Sequence, residues 1–162
     1  MEGAHIHLIL NHLPVMGTGL GVLILLAGMI LKNVTVKQTG LFTLVLAALS
    51  ISLALFTGDP AGETIRGMKG VDEQMIEFHE KLAYSSLWAI VPSGLVAALA
   101  IYSRWKNKKG RNIFAVAALV LSLVSVIILG WVGYSGGKIM HPEIRKEFRL
   151  NATSGSITTD KD

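Results

Sequence analysis

The chain has 162 residues, 51% of them apolar, a formal net charge of +4 and no cysteine, with a mean hydropathy of +0.53. The lack of thiols excludes disulfides, Cys-ligated iron-sulfur clusters and the C-x-x-C-H attachment of c-type haem. The apolar residues come in long blocks whose uncharged surface runs all the way round. A water-soluble bundle would carry charge on the outer face of every helix at a period of 3.6.

The first element is HIHLILNHLPVMG, residues 5 to 17, which holds three of the five histidines at the head of an apolar block. Four blocks follow as spans: Leu13 to Leu31, Thr39 to Phe56, Leu82 to Ser103 and Ile113 to Val132. Each is close to the ~20 residues that cross ~30 Å of hydrocarbon, and none contains Asp, Glu, Lys or Arg. The expected fold is all-α, an integral membrane four-helix bundle over residues 1–150, with a disordered polar tail, NATSGSITTDKD, over residues 151–162. No small-residue cleavage site follows the first block and no Lys or Arg precedes it, so it is not expected to be a removable signal peptide.

Basic residues left in the cytosol set membrane topology. The 1-2 loop carries Lys32 and Lys37, and the 3-4 loop carries Arg104, Lys106, Lys108, Lys109 and Arg111. Both loops are therefore expected to be cytoplasmic in a bacterial inner membrane, with the N- and C-termini periplasmic. The opposite side receives a 2-3 loop with six acidic residues from Asp59 to Glu80. Lys138, Arg145, Lys146 and Arg149 in the C-terminal segment pull against this orientation. The basic residues read as topological flanks, and no nucleic-acid partner is expected.

Spans two and four leave the membrane through Gly58-Asp-Pro-Ala-Gly62 and Gly133-Tyr-Ser-Gly-Gly137, each with glycines four apart, and both odd spans are entered past histidine. Two duplicated helical hairpins would give this punctuation. Close packing between helices would give the same glycine spacings, as it would for Gly17 and Gly21. Tyr84, Trp88, Trp131 and Tyr134 near one end, and Tyr102 and Trp105 near the other, fit interfacial belts.

All five histidines, His5, His7, His12, His79 and His141, lie at the ends placed outside. By helical rise, His7 and His79 stand ~37 Å above the basic border and His12 ~30 Å, provided that the first helix continues through Pro14. In VDEQMIEFHEKLAY, Asp72 is a helix cap, and Val71, Met75, Phe78 and Leu82 mark the inward stripe that His79 borders; Glu77 and Glu80 point elsewhere. His5 lies in the N-terminal arm and is the most dispensable. His141, before Pro142, sits on irregular backbone able to fold back over the mouth of the bundle.

Imidazole at membrane depth usually faces the bundle interior at a functional site, and its neutral form is a good metal or haem ligand. Four inward histidines, His7, His12, His79 and His141, match one or two haem b groups, held without thiolates and with propionates at the polar rim. The alternatives are an interfacial role with each polar tip in water, a copper or other soft-metal site using Met16, Met140 and His141, and a structural subunit of a membrane complex. A zinc hydrolase is disfavoured because His79-Glu80 lacks the second histidine of H-E-x-x-H, and a proton carrier because no carboxylate lies mid-span. The favoured reading is an electron carrier rather than an enzyme.

The pattern His7-x4-His12-x-Pro14, the Gly-rich exit of the second span and His79 at the head of the third resemble a family of small bacterial four-helix membrane proteins of unknown function. Their sequences begin with a similar H-P-x-x-x-H-x-P run. The likeness covers roughly residues 5 to 135, with Leu8 where the family often has proline and a more elaborate exit at TGDPAGE. The resemblance implies a redox partner, such as a Rieske-type protein, or a larger membrane complex.

Overall fold

A computed structural model describes residues 2–108 and 111–144. The expected tail, residues 151–162, lies outside the described residues. Five helices account for nearly all of the rest: α1 (Glu2–Leu10), α2 (His12–Ile30), α3 (Val34–Ile65), α4 (Glu73–Trp105) and α5 (Arg111–Met140), with a 3-10 turn at Pro142–Ile144. They make four helical segments long and apolar enough to cross a membrane: Gly3–Ile30, Val34–Ile65, Glu73–Trp105 and Asn112–Met140.

The helices are longer than the apolar blocks. The segment expected as a long acidic 2-3 loop is mostly helix, because α3 runs on to Ile65 and α4 starts at Glu73. Pro60 lies inside α3 and removes one backbone bond there without ending the helix. Asp72 caps α4 as its sequence context predicts, accepting from the amides of Gln74 and Met75 at 3.0 and 3.2 Å. At the other terminus α5 passes through the GYSGG segment to Met140.

At the N-terminus the backbone stays helical between α1 and α2. Asn11 has φ −66 and ψ −22, and its amide bonds the His7 carbonyl at 2.9 Å. What is missing is the bond that Pro14, which has no N–H, would make to the Leu10 carbonyl. The first helix therefore does continue past Pro14 toward the N-terminus, which fixes the height of His7.

α2 packs along α3, and α4 along α5; α3 packs on α4 and α2 on α5, while α2 and α4 do not touch. The four spans thus form a four-sided bundle with α2 and α4 on one diagonal, and α1 prolongs α2 on the α3 side. One apolar core, nearer the basic end, joins Val22, Leu25, Leu41, Leu44, Ala97, Ala100, Ala115 and Ala118; another, nearer the histidines, joins Ile51, Ile90 and Leu129. Lipid tails are as apolar as leucine, so close backbone approach and hydrogen bonds hold such helices together. Here the small interior residues include Thr18, Ser86, Ser93, Ser122, Ser125 and Ser135, all buried. Most of these hydroxyls bond back to a carbonyl of their own helix, as Thr18 does to Pro14 at 2.6 Å. Large apolar residues such as Phe56, Trp88 and Ile127 face outward, as on a lipid-facing surface. The expected belt aromatics are exposed as well, with Trp131 and Tyr134 in an edge-on pair at one end and Tyr102 and Trp105 in another at the other end.

Candidate functional site

Two of the five histidines enter the bundle. His7 is half-buried, and its Nδ1 lies 3.2 Å from the Thr57 hydroxyl on α3; its ring also meets the backbone of Ala54. His79, also half-buried, has its Nδ1 2.9 Å from the Ser135 hydroxyl and 3.1 Å from the Val132 carbonyl on α5. A carbonyl can only accept, so His79 carries its proton on Nδ1 and donates it. The Ser135 hydroxyl donates to Val132 at 2.8 Å, which leaves its lone pairs for the imidazole. Thr57 likewise commits its hydrogen to the Leu53 and Ala54 carbonyls at 2.9 and 3.2 Å, so His7 donates from Nδ1 too. In both rings the free lone pair is then on Nε2.

Each ring also lies against a glycine. A methyl at Gly58 would stand 3.4 Å from Cε1 of His7, and one at Gly136 would stand 3.1 Å from Cε1 of His79. The two seats are built alike. Ala54, Thr57 and Gly58 receive His7; Val132, Ser135 and Gly136 receive His79, at the same spacing along the even-numbered span. This places the punctuation shared by the two hairpins in a register different from the one read from glycines alone. Gly133 and Gly137 meet nothing, Gly62 meets Glu80 and Ile76, and the matching pair is Gly58 with Gly136. The two histidines come from α1 and α4, which do not pack on each other, and their seats are on α3 and α5.

The other three histidines are exposed. His12 is five residues from His7, about 140° round the helix at ~100° per residue. It therefore faces out, with Nδ1 bonded to the Leu8 carbonyl of its own helix. His141 pairs with Glu143 at 2.7 Å, and Met140 beside it is exposed. Of the four candidate ligands the fold thus brings His7 and His79 inward and leaves His12 and His141 outside. Among the described residues no group of three or more His, Asp or Glu side chains is placed to hold a metal ion.

The stripe that carries His79 differs from the sequence expectation by one residue, about 100° round the helix. Phe78 is 53% exposed, while Ile76 is 2% exposed, so the inward line runs Ile76, His79, Ser86, Ile90. Glu80 is not turned away from the bundle: its carboxylate lies over Gly62 and 3.6 Å from Arg66, which also reaches Glu63 at 3.5 Å. Tyr84 donates to Asp59 at 2.9 Å. These contacts tie α3 to α4 at the rim above the histidines. Sequence reasoning missed Thr57 and Ser135, although the hydroxyl-glycine dipeptides Thr57-Gly58 and Ser135-Gly136 are visible once the two hairpins are aligned.

No curated protein and no solved structure matches the chain. A family model does, over residues 3–142, a stretch that takes in all five helices but for Glu2. The chain belongs to the family described as "Predicted membrane protein (DUF2231)".

Proposed function

We propose that this multi-pass membrane protein binds one b-type haem between His7 and His79 and serves as an electron carrier. The observation that carries the reading is the pair of matched seats, each of which commits the Nδ1 proton and frees the Nε2 lone pair toward a ligand. Such fixing of the second ring nitrogen is the usual companion of an imidazole that ligates iron. Two histidines suffice for haem because the porphyrin supplies four nitrogens of its own. A bare copper or zinc ion asks the protein for three or four donors, which the described residues do not bring together.

When bound, the group supplies reversible one-electron chemistry. The chain's own residues do the rest. Thr57 and Ser135 hold both imidazoles in one tautomer, and the Ala54 and Val132 backbone fixes their tilt. Gly58 and Gly136 let each ring lie close to the neighbouring helix. With the basic loops taken as cytoplasmic, the site belongs near the periplasmic face of a bacterial inner membrane, within reach of a redox partner there.

The test is a reduced-minus-oxidised absorption spectrum of the full chain purified from cells supplied with haem. The expected result is the sharp α-band of a six-coordinate b-type haem at about one per chain. His79→Ala and His7→Ala should each abolish that band, while His12→Ala and His141→Ala should leave it unchanged. A colourless protein that also fails to take up added haemin overturns the reading.

A further inference from the structure

The two ends of the molecule differ in charge as well as in histidine. No Asp or Glu lies between Gly3 and Gly58 or between Lys81 and Pro142, so every carboxylate of the bundle is at the histidine end or beyond it. At the other end an open cleft of about 370 Å³ lies where the α2–α3 turn faces the start of α5, lined by Met29, Lys32, Lys37, Asn112 and Ala115. Lys37 and Asn112 also line an adjoining groove that reaches Arg104 on α4. The volume accommodates a phosphate group with several waters, at about 30 Å³ for each water.

Three features distinguish this cleft from the scattered basic flanks that topology alone requires. Lys37 is pinned: the space of a Gly28 side chain is filled by the Lys37 backbone, 2.3 Å from where a Cβ would stand, and its Nζ lies 3.5 Å from Oδ1 of Asn112. Lys32 is held at φ 52, a left-handed conformation that an ordinary side chain adopts only at a cost. By contrast, Lys106 and Lys108 lie on the faces of Trp105 and Tyr102, 4.3 and 5.6 Å from the ring centroids, at the rim outside the cleft. No described carboxylate pairs with Lys32, Lys37 or Arg104.

We propose that this cleft and the groove adjoining it form a binding site for a phosphate group, with Lys32 and Lys37 supplying point charge, Arg104 of the groove a two-pronged donor and the Asn112 amide a further N–H. A phosphoryl oxygen set suits this mixture of lysine, guanidinium and amide. At the end of a membrane bundle the phosphate comes from an anionic phospholipid head group or from a free phosphate anion.

The test titrates the full chain, in a neutral detergent, with phosphatidylglycerol, phosphatidylcholine and inorganic phosphate, reading retained lipid by native mass spectrometry and the melting temperature in parallel. Phosphatidylglycerol should be retained at one per chain and raise the melting temperature. The Lys37→Gln/Arg104→Gln double variant should weaken this at least tenfold, and Lys106→Gln/Lys108→Gln, which removes the same charge outside the cleft, less than threefold. Lys37→Arg should keep the retention, which separates loss of the site from loss of the fold. Displacement of the lipid by millimolar inorganic phosphate, with the same variant pattern, assigns the site to the free anion. Equal weakening by the two double variants, or equal retention of phosphatidylcholine, overturns the proposal.

Discussion

The two hairpins share a topology and a histidine seat, yet they are packed by different means. In the first, α2 and α3 meet backbone to backbone at glycines: a methyl at Gly28 would stand 2.3 Å from the Lys37 amide nitrogen, and one at Gly40 would stand 2.4 Å from that of Leu25. In the second, Gly130, Gly133 and Gly137 meet nothing within 4 Å, and α4 and α5 contribute alanine and serine instead, with Ala97, Ala100, Ala115, Ala118, Ser122 and Ser125 buried. The α2–α3 interface is therefore intolerant of an added carbon, whereas the α4–α5 interface has its tolerances set by side chains; the tight glycine of α4, Gly94, faces Ala48 of α3 instead. What the hairpins keep in common is the histidine seat and a left-handed residue in the turn at the basic end, Lys32 and Asn107, and not the packing between their helices.

The largest expected effect separates the hairpins at their glycines. Gly28→Ala or Gly40→Ala drives a methyl into backbone that cannot move without parting the helices, and each should lower stability by about 3 kcal/mol, read as a lower melting temperature of the purified chain. Gly130→Ala should be neutral or stabilise by up to about 1 kcal/mol through helix propensity. Equal losses at Gly28 and Gly130 would break the contrast.

The next effect separates the two seats. A methyl at Gly136 stands 3.1 Å from the His79 ring, tighter than ordinary contact, while one at Gly58 stands 3.4 Å from His7. Gly136→Ala should push the His79 ring off its hydroxyl and reduce haem content several-fold if the proposed ligand pair is right, whereas Gly58→Ala should leave most of it. A smaller and parallel effect belongs to the hydroxyls. Ser135→Ala leaves His79 the Val132 carbonyl at 3.1 Å, so the ring keeps a fixed tautomer. Thr57→Val takes the hydroxyl at 3.2 Å from His7, whose remaining contact is with the Ala54 backbone. Loss of such a supporting contact typically weakens a metal site by about tenfold or more. Thr57→Val should thus lower haem retention, or shift the reduction potential, more than Ser135→Ala does.

The spans and the cap at Asp72 were legible because they depend on composition and on one local hydrogen bond. Helix ends were less so. The polar residues of TGDPAGETI hid the continuation of α3, since helix propensity beyond an apolar block leaves no periodic mark, whereas the Asp72 cap gave the start of α4. His79 could be aimed inward from its spacing, but the choice of Ile76 over Phe78 beside it rests on how α4 turns against α3 and α5, which no single-helix pattern encodes. For His7 and His12 the 140° between them showed that only one could enter, and the contact of α1 with α3 chose His7. Thr57 and Ser135 were invisible as site residues because a hydroxyl in a span usually bonds its own helix, as these two also do.

The smallest effect lies in the turns that close the hairpins at the basic end, and it compares them residue for residue. Lys32 after α2 has φ 52 and Asn107 after α4 has φ 49. Asparagine tolerates the left-handed region far better than lysine, whose Cβ crowds the carbonyl. Lys32→Gly should therefore stabilise the chain by about 0.5–1 kcal/mol, and Asn107→Gly should change it by no more than a few tenths. Both are measured as melting temperatures in lipid-free detergent, where no phosphate ligand contributes. The sign is informative beyond the turn. If Lys32→Gly stabilises the lipid-free chain yet loses the thermal shift given by phosphatidylglycerol, the strain at Lys32 is the cost of placing a cation in the cleft, and the first hairpin differs from the second because it carries that cation.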